Sequence, residues 1–278
     1  MNGVVHQYMD SPRLLAAAAA AATISAVLWL RSRSLKYKGV RLTYLDTKGA
    51  GEPIRLALFI AGVPFEDIRV TYSQIAQLRE SGYLPFGQVP VLEVDGKVFG
   101  QSQAILRWVG RMTGLYPERL QLRVDQVDEA IVDLKYILRP AWYGAALGRS
   151  PINGEPLLPL SADQRAATLE TLDHVILPAR LAQLERLLAH TSDGPFVCGS
   201  ELTIADLNLY VYATGILAGD GVPAGISNTL LDDCPRILAL VQHVEALPRV
   251  QEWNKRPTTP AAQDSPSGNP KLKTVNAF

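Results

Sequence analysis

Apolar residues alternate with polar ones over Val40–Leu45, the two-residue period of a half-buried strand, and the same spacing returns at Phe65–Thr71 with Ile68 and Val70 on one face. Between them, Glu52-Pro53 opens a helix whose apolar positions are Ile54, Leu58 and Ala61, and Gly62 followed by Pro64 ends it. Ser73–Glu80 reads as a short, weakly patterned helix. Val89–Val94 is apolar except at Glu93, Asp95-Gly96 supplies a type I′ hairpin turn, and Val98-Phe99 returns as a second short strand. A helix then runs over Ser102–Thr113, with Ser102 as its expected cap. The order is β-α-β-α-β-β-α, an α/β unit over residues 39–117.

Beyond Leu115-Tyr116-Pro117 the strand signals stop. Residues 118–148, 161–192, 203–218 and 235–256 all carry helical spacing, separated by Pro- and Gly-rich breaks at Ser150–Pro159, Ser192–Pro195 and Gly219–Gly225. Residues 118–257 therefore read as an all-helical domain, and 258–278, with few large apolar residues, as a disordered tail. At the other end, 14–30 form an uncharged run of 17 residues, alanine-rich and followed by Arg31, Arg33, Lys36 and Lys38. That length is the lower limit for a bilayer span. The downstream cations predict a membrane anchor with the folded domains facing the cytosol; an organelle transit peptide and a cleaved signal peptide are the alternatives for segment 1–38.

Composition narrows the chemistry. Acidic and basic residues balance at 27 each, and no basic block interleaved with aromatics appears in the folded part, which argues against nucleic acid as a partner. Two cysteines outside any C-x-x-C pair fit a reducing compartment, and the four histidines lack metal-ligand spacing. What remains is a set of polar groups near a helix N-terminus at Gln101-Ser102, where unpaired N–H groups are a ready seat for a carboxylate.

Several segments, in this order and spacing, resemble the cytosolic glutathione transferases, closest to the tyrosine-type sigma and pi classes. They are Leu42-Thr-Tyr44, Glu52-Pro-Ile-Arg55, Leu84–Gly96, Gln101-Ser102-x-Ala104-Ile105 and Gly114-Leu-Tyr116, then Phe196–Leu207 and Leu230–Pro235 in the helical half. The resemblance spans about 40–257. It implies a thioredoxin-like N-terminal domain, a helical C-terminal domain, glutathione as co-substrate, conjugation to a small hydrophobic electrophile or reduction of lipid peroxides, and a homodimer. Tyr44 would stabilise the glutathione thiolate. Pro90, a cis-proline in this family, would leave the Val89 backbone free to pair with the cysteinyl part, with Gln88 beside it as a side-chain contact, and Gln101 and Ser102 would hold the γ-glutamyl group. Arg79 stands where the family has a lysine contact, Asp133 where an acidic residue reaches the partner's glutathione, and Tyr143 where some members place an aromatic against the hydrophobic substrate.

The physics is consistent with that implication. A free thiol titrates near 8.5, and lowering it by two units takes roughly 2.7 kcal/mol of preferential thiolate stabilisation. One hydroxyl aimed at the sulfur in a partly dry site is a sufficient kind of source. Thr203-Ile-Ala-Asp206 is a capping box and reads as structural. The chain departs from the family pattern at Ala50, where an arginine is usual, at Ile75, where a tryptophan is usual, and at Tyr136-Ile137, which leaves an acidic metal-binding cluster incomplete. Two other readings stay open: a glutathione-dependent isomerase of lipids such as a prostaglandin synthase, and a non-catalytic binding or scaffold protein on the same fold.

Overall fold

The computed structural model describes residues 39–146, 161–191, 193–217 and 225–256. Four strands, β1 (Arg41–Leu45), β2 (Glu66–Val70), β3 (Val91–Val94) and β4 (Lys97–Phe99), form one mixed sheet in the order β2-β1-β3-β4. β2 runs parallel to β1, reached by the crossover that α1 (Glu52–Ile60) provides, while β3 and β4 are antiparallel neighbours joined at Asp95-Gly96. Both turn residues have positive φ, 50° and 81°, as a type I′ turn requires.

The sheet separates two apolar layers. One face carries α2 (Tyr72–Glu80), whose Ile75 and Leu78 pack with Val70, Leu84 and Val91. This helix is better built than its periodicity suggests, because Thr71 and Gln74 close a capping box at its start. The other face carries α1 and α3 (Ser102–Thr113), and their far sides join the main core of the helical domain. That domain holds α4 (Gln121–Ala146), α5 (Ala162–Thr171), α6 (Leu177–Thr191), α7 (Ile204–Tyr212), α8 (Pro235–Glu245) and α9 (Pro248–Asn254). Gly110 of α3 marks the contact between the halves: a Cβ there would lie 2.8 Å from Ile204 and from Tyr116.

Several expectations change. The single helix expected over 235–256 is two, because Pro248 cannot extend α8 and instead starts α9 at its first turn. A π-turn at Leu172–Ile176 interrupts the helix expected over 161–192. Ser102 is not the cap of α3: Gln101 occupies that position with φ 72° and makes no side-chain capping bond. The membrane anchor, and the membrane-anchored, cytosol-facing localisation drawn from it, is not supported. Among the described residues no helix is long and apolar enough to cross a membrane. The run 14–30 itself lies outside the described residues; its 17 residues are the lower limit for a span, and many of them are alanine, only weakly apolar.

Candidate active site

Strand register brings the expected site residues together. β1 pairs with β3 through Thr43↔Val91, and β3 with β4 through Leu92↔Phe99. Tyr44 and Pro90 each lie one residue beyond the last β1–β3 pair and Gln101 two beyond the last β3–β4 pair, so the three form a row at the same end of the sheet. The Val89–Pro90 peptide is cis, as the resemblance implied. Gln88 and Val89 lead into this row and Ser102 follows it as the first residue of α3.

The turn before the row is braced from two sides. Arg79 Nε donates to the Gly87 carbonyl at 3.0 Å, and Gly87 has φ 65°. Phe86 covers Gly100, where a Cβ would meet its ring at 2.9 Å. The structure therefore gives Arg79 a bracing role beside Gln88. Asp133 is exposed on α4, in the other domain from the row. Tyr143 also belongs to α4, and its side chain lies outside the described residues.

Tyr44 itself is buried, 8% exposed. The Ala50 backbone N–H donates to its hydroxyl oxygen at 2.9 Å. The loop closes so tightly on the tyrosine that a Cβ on Gly49 would lie 2.4 Å from Tyr44 Oη. A hydroxyl that accepts a hydrogen bond becomes a stronger donor, because the two bonds polarise one another.

Beneath the loop sits Arg55, which the residue pattern marked only as part of a motif. Its guanidinium is fully buried, 5.6 Å from the Tyr44 ring centroid. Nε donates to Asp67 at 2.8 Å, Nη1 to Glu52 and to the Thr47 carbonyl at 3.1 Å each, and Nη2 to the Leu45 carbonyl at 3.0 Å. Trp253 of α9 donates to Glu52 at 2.6 Å, which ties the helical domain into the same cluster. The available signal was a charge on the inward face of an apolar helix, three residues from Glu52.

The chain's own thiols are poor nucleophiles. Burial pushes Cys198 and Cys234 each up to about 11, so both are protonated at neutral pH. A thiolate acting at this site has to arrive with a co-substrate.

Two family models match the chain: the glutathione S-transferase N-terminal domain over residues 40–111 and the C-terminal domain over 160–257. The chain belongs to the glutathione S-transferase family. Glutathione S-transferase 1 of Ascaris suum is 32% identical over 79% of this chain and 98% of its own length. The hematopoietic prostaglandin D synthase of Gallus gallus is 28% identical over 79% of this chain and 97% of its own. The crystal structure of the Ascaris lumbricoides glutathione S-transferase superposes with a TM-score of 0.62 at 31% identity, covering 80% of this chain and all of that one. With 98% of the Ascaris suum protein matched, that relative has no counterpart of the expected anchor, which overturns the membrane-anchored localisation. The fold, a thioredoxin-like domain followed by a helical one, is that of the glutathione transferases. The protein is a glutathione transferase, and glutathione is its co-substrate.

Proposed function

We propose that Tyr44 is the hydroxyl that stabilises the glutathione thiolate, and that the row Tyr44–Pro90–Gln101 is the peptide's bed. The observation carrying this is the place of the three residues at one end of the sheet, just beyond the last paired positions, together with the cis Val89–Pro90 bond. The Val89 backbone pairs with the cysteinyl part in strand fashion, and Gln88 flanks it. Gln101 and Ser102 receive the γ-glutamyl end at the N-terminus of α3. Arg79 supports the turn and borders the same peptide. The thiolate sulfur attacks an electrophilic carbon of a small hydrophobic substrate; the S–C bond forms as the leaving group departs with its electron pair. Tyr143 is assigned to that second substrate, and the domain boundary is placed at 117.

Tyr44→Phe tests the assignment. With a generic aryl halide, kcat/KM should fall by about 10² on loss of one such donor, with glutathione affinity changed little. An unchanged rate with glutathione still bound would remove Tyr44 from the chemistry.

A homodimer with Asp133 at the partner's glutathione is supported by family membership and by exposed Phe86, Phe99, Leu122 and Tyr136. One similar structure, from Necator americanus, 29% identical with a TM-score of 0.60, is described as monomeric, so light scattering decides whether Asp133 has a partner site to reach. A second reading, a glutathione-dependent lipid isomerase, is favoured by the avian prostaglandin D synthase among the relatives and is scored by product analysis with a prostaglandin endoperoxide.

A further inference from the structure

We infer that Arg55 is a positioning residue for the reaction: it pins the carbonyls at the start of the loop after β1, so that the Ala50 N–H is held on the Tyr44 oxygen. This rests on the reading of Tyr44 as the thiolate-stabilising hydroxyl. The loop leaves β1 at Leu45 and reaches α1 at Gly51, and residue 50 is alanine, so at that position only the backbone can support the tyrosine. Arg55 holds the loop at two points, Leu45 O and Thr47 O, from inside the fold. Downstream, Glu52 N–H donates to Gly49 O at 3.1 Å and Arg55 N–H to Gly51 O at 3.0 Å, which fixes the other end.

Arg55 is itself over-determined. Its planar fork spends its donors on two carboxylates and two carbonyls, a set a lysine cannot reproduce. Asp67 is turned toward it by Arg69 Nε at 3.0 Å, and Glu52 by Trp253 at 2.6 Å. The stacked restraints run from α9 and β2, through Arg55, to the loop, to Ala50 N–H and so to Tyr44. Such accuracy matters because a donor displaced by about 1 Å can cost about 10² in rate.

The experiment uses the full chain with Arg55→Lys. Three quantities are read: glutathione affinity, the ultraviolet absorbance of the bound thiolate as a function of pH, and the pH profile of kcat/KM with an aryl halide. The expected result is glutathione affinity within about threefold of wild type and an apparent pKa of bound glutathione about one unit higher. On the acid limb this lowers kcat/KM about tenfold, with recovery toward wild type at high pH. Asp67→Asn, which loosens Arg55 directly and reaches the loop otherwise only through Arg69, the partner of Asp46, should shift the profile in the same direction by less, and it carries the test alone if Arg55→Lys does not fold. A folded variant with the wild-type pH profile overturns the inference, as does an equal loss of activity at every pH. If wild type itself binds glutathione without ionising it below its free-solution range, the reading of Tyr44 fails instead.

Discussion

Two buried ionic clusters hold this protein together, and they are built to different standards. Around Arg55, two carboxylates and two carbonyls meet the guanidinium at 2.8–3.1 Å, and both carboxylates have further donors. In the helical domain, Asp128 and Lys135 lie two turns apart on α4, bridged by one Asn208 amide of α7. Asn208 Nδ2 donates to Asp128 at 2.9 Å, and Lys135 Nζ donates to Asn208 Oδ1 at 2.9 Å. There Asp128 Oδ2 and the Tyr212 hydroxyl are buried without a hydrogen-bond partner among the described residues. Burial pushes Asp128 up to about 7 and Lys135 down to about 8. The first cluster is satisfied and sits against the candidate site; the second is under-satisfied and titrates near neutrality. A satisfied buried network fixes geometry, whereas a half-satisfied one makes stability depend on pH.

The largest effect expected from breaking this comparison is in the Arg55 cluster. Arg55→Met would leave Glu52 without its cation and Asp67 with Arg69 alone, at a cost of about 3–5 kcal/mol in chemical denaturation. A loss under about 1 kcal/mol would show that the cluster is not the tie between loop, sheet and α9 described above.

The second cluster should respond to pH in the opposite sense from ordinary paired charges. Asp128 keeps its proton in the folded chain up to about 7, whereas an unfolded aspartate loses it near 4. Across that window the folded state binds more protons, so the Asp128 contribution to stability falls as pH rises. Asp206, raised to about 6 by burial, acts in the same direction over a narrower window. Lys135 loses its proton near 8 when folded and near 10.5 when unfolded, so between those values the unfolded chain binds more protons and stability rises. The cluster's own contribution is therefore lowest around pH 7–8. The double variant Asp128→Leu/Lys135→Met should be neutral or stabilised by about 1–4 kcal/mol at neutral pH and should lose this valley. Denaturation midpoints with an unchanged pH profile would refute the assignment.

The smallest effect expected is at Tyr212. Its hydroxyl is buried and unpartnered, so Tyr212→Phe should change stability by less than about 1 kcal/mol, with stabilisation the expected sign. A clear loss would mean that the hydroxyl has a partner, and that the second cluster is better satisfied than its geometry indicates.

Much of the candidate site was legible because its residues are local in sequence or tied to a strand period. The alternation at Val40–Leu45 and the Asp95-Gly96 turn were enough to locate strands along the chain, and with the family resemblance and Pro90 they marked Tyr44, Gln101 and Ser102. The misreadings were also local. Ser102 is the first residue of its helix and the cap position falls one residue earlier, on Gln101 with its positive φ, and Pro248 divided a periodic stretch whose spacing alone looked continuous. The alanine-rich run at 14–30 had the length of a marginal span and little else.

The sequence by itself determined the order of elements, the two domains and the family, because periodicity and turn chemistry act between residues a few positions apart. It did not determine what Arg55, Glu52, Trp253, Asp128 and Asn208 do. Glu52 and Trp253 are 201 residues apart, and Asp128 and Asn208 are 80 apart. Whether a charge inside an apolar helix is solvated, paired or orphaned depends on which distant groups the packed chain brings to it. Tertiary structure alone decided that, and with it how firmly the loop is held against Tyr44.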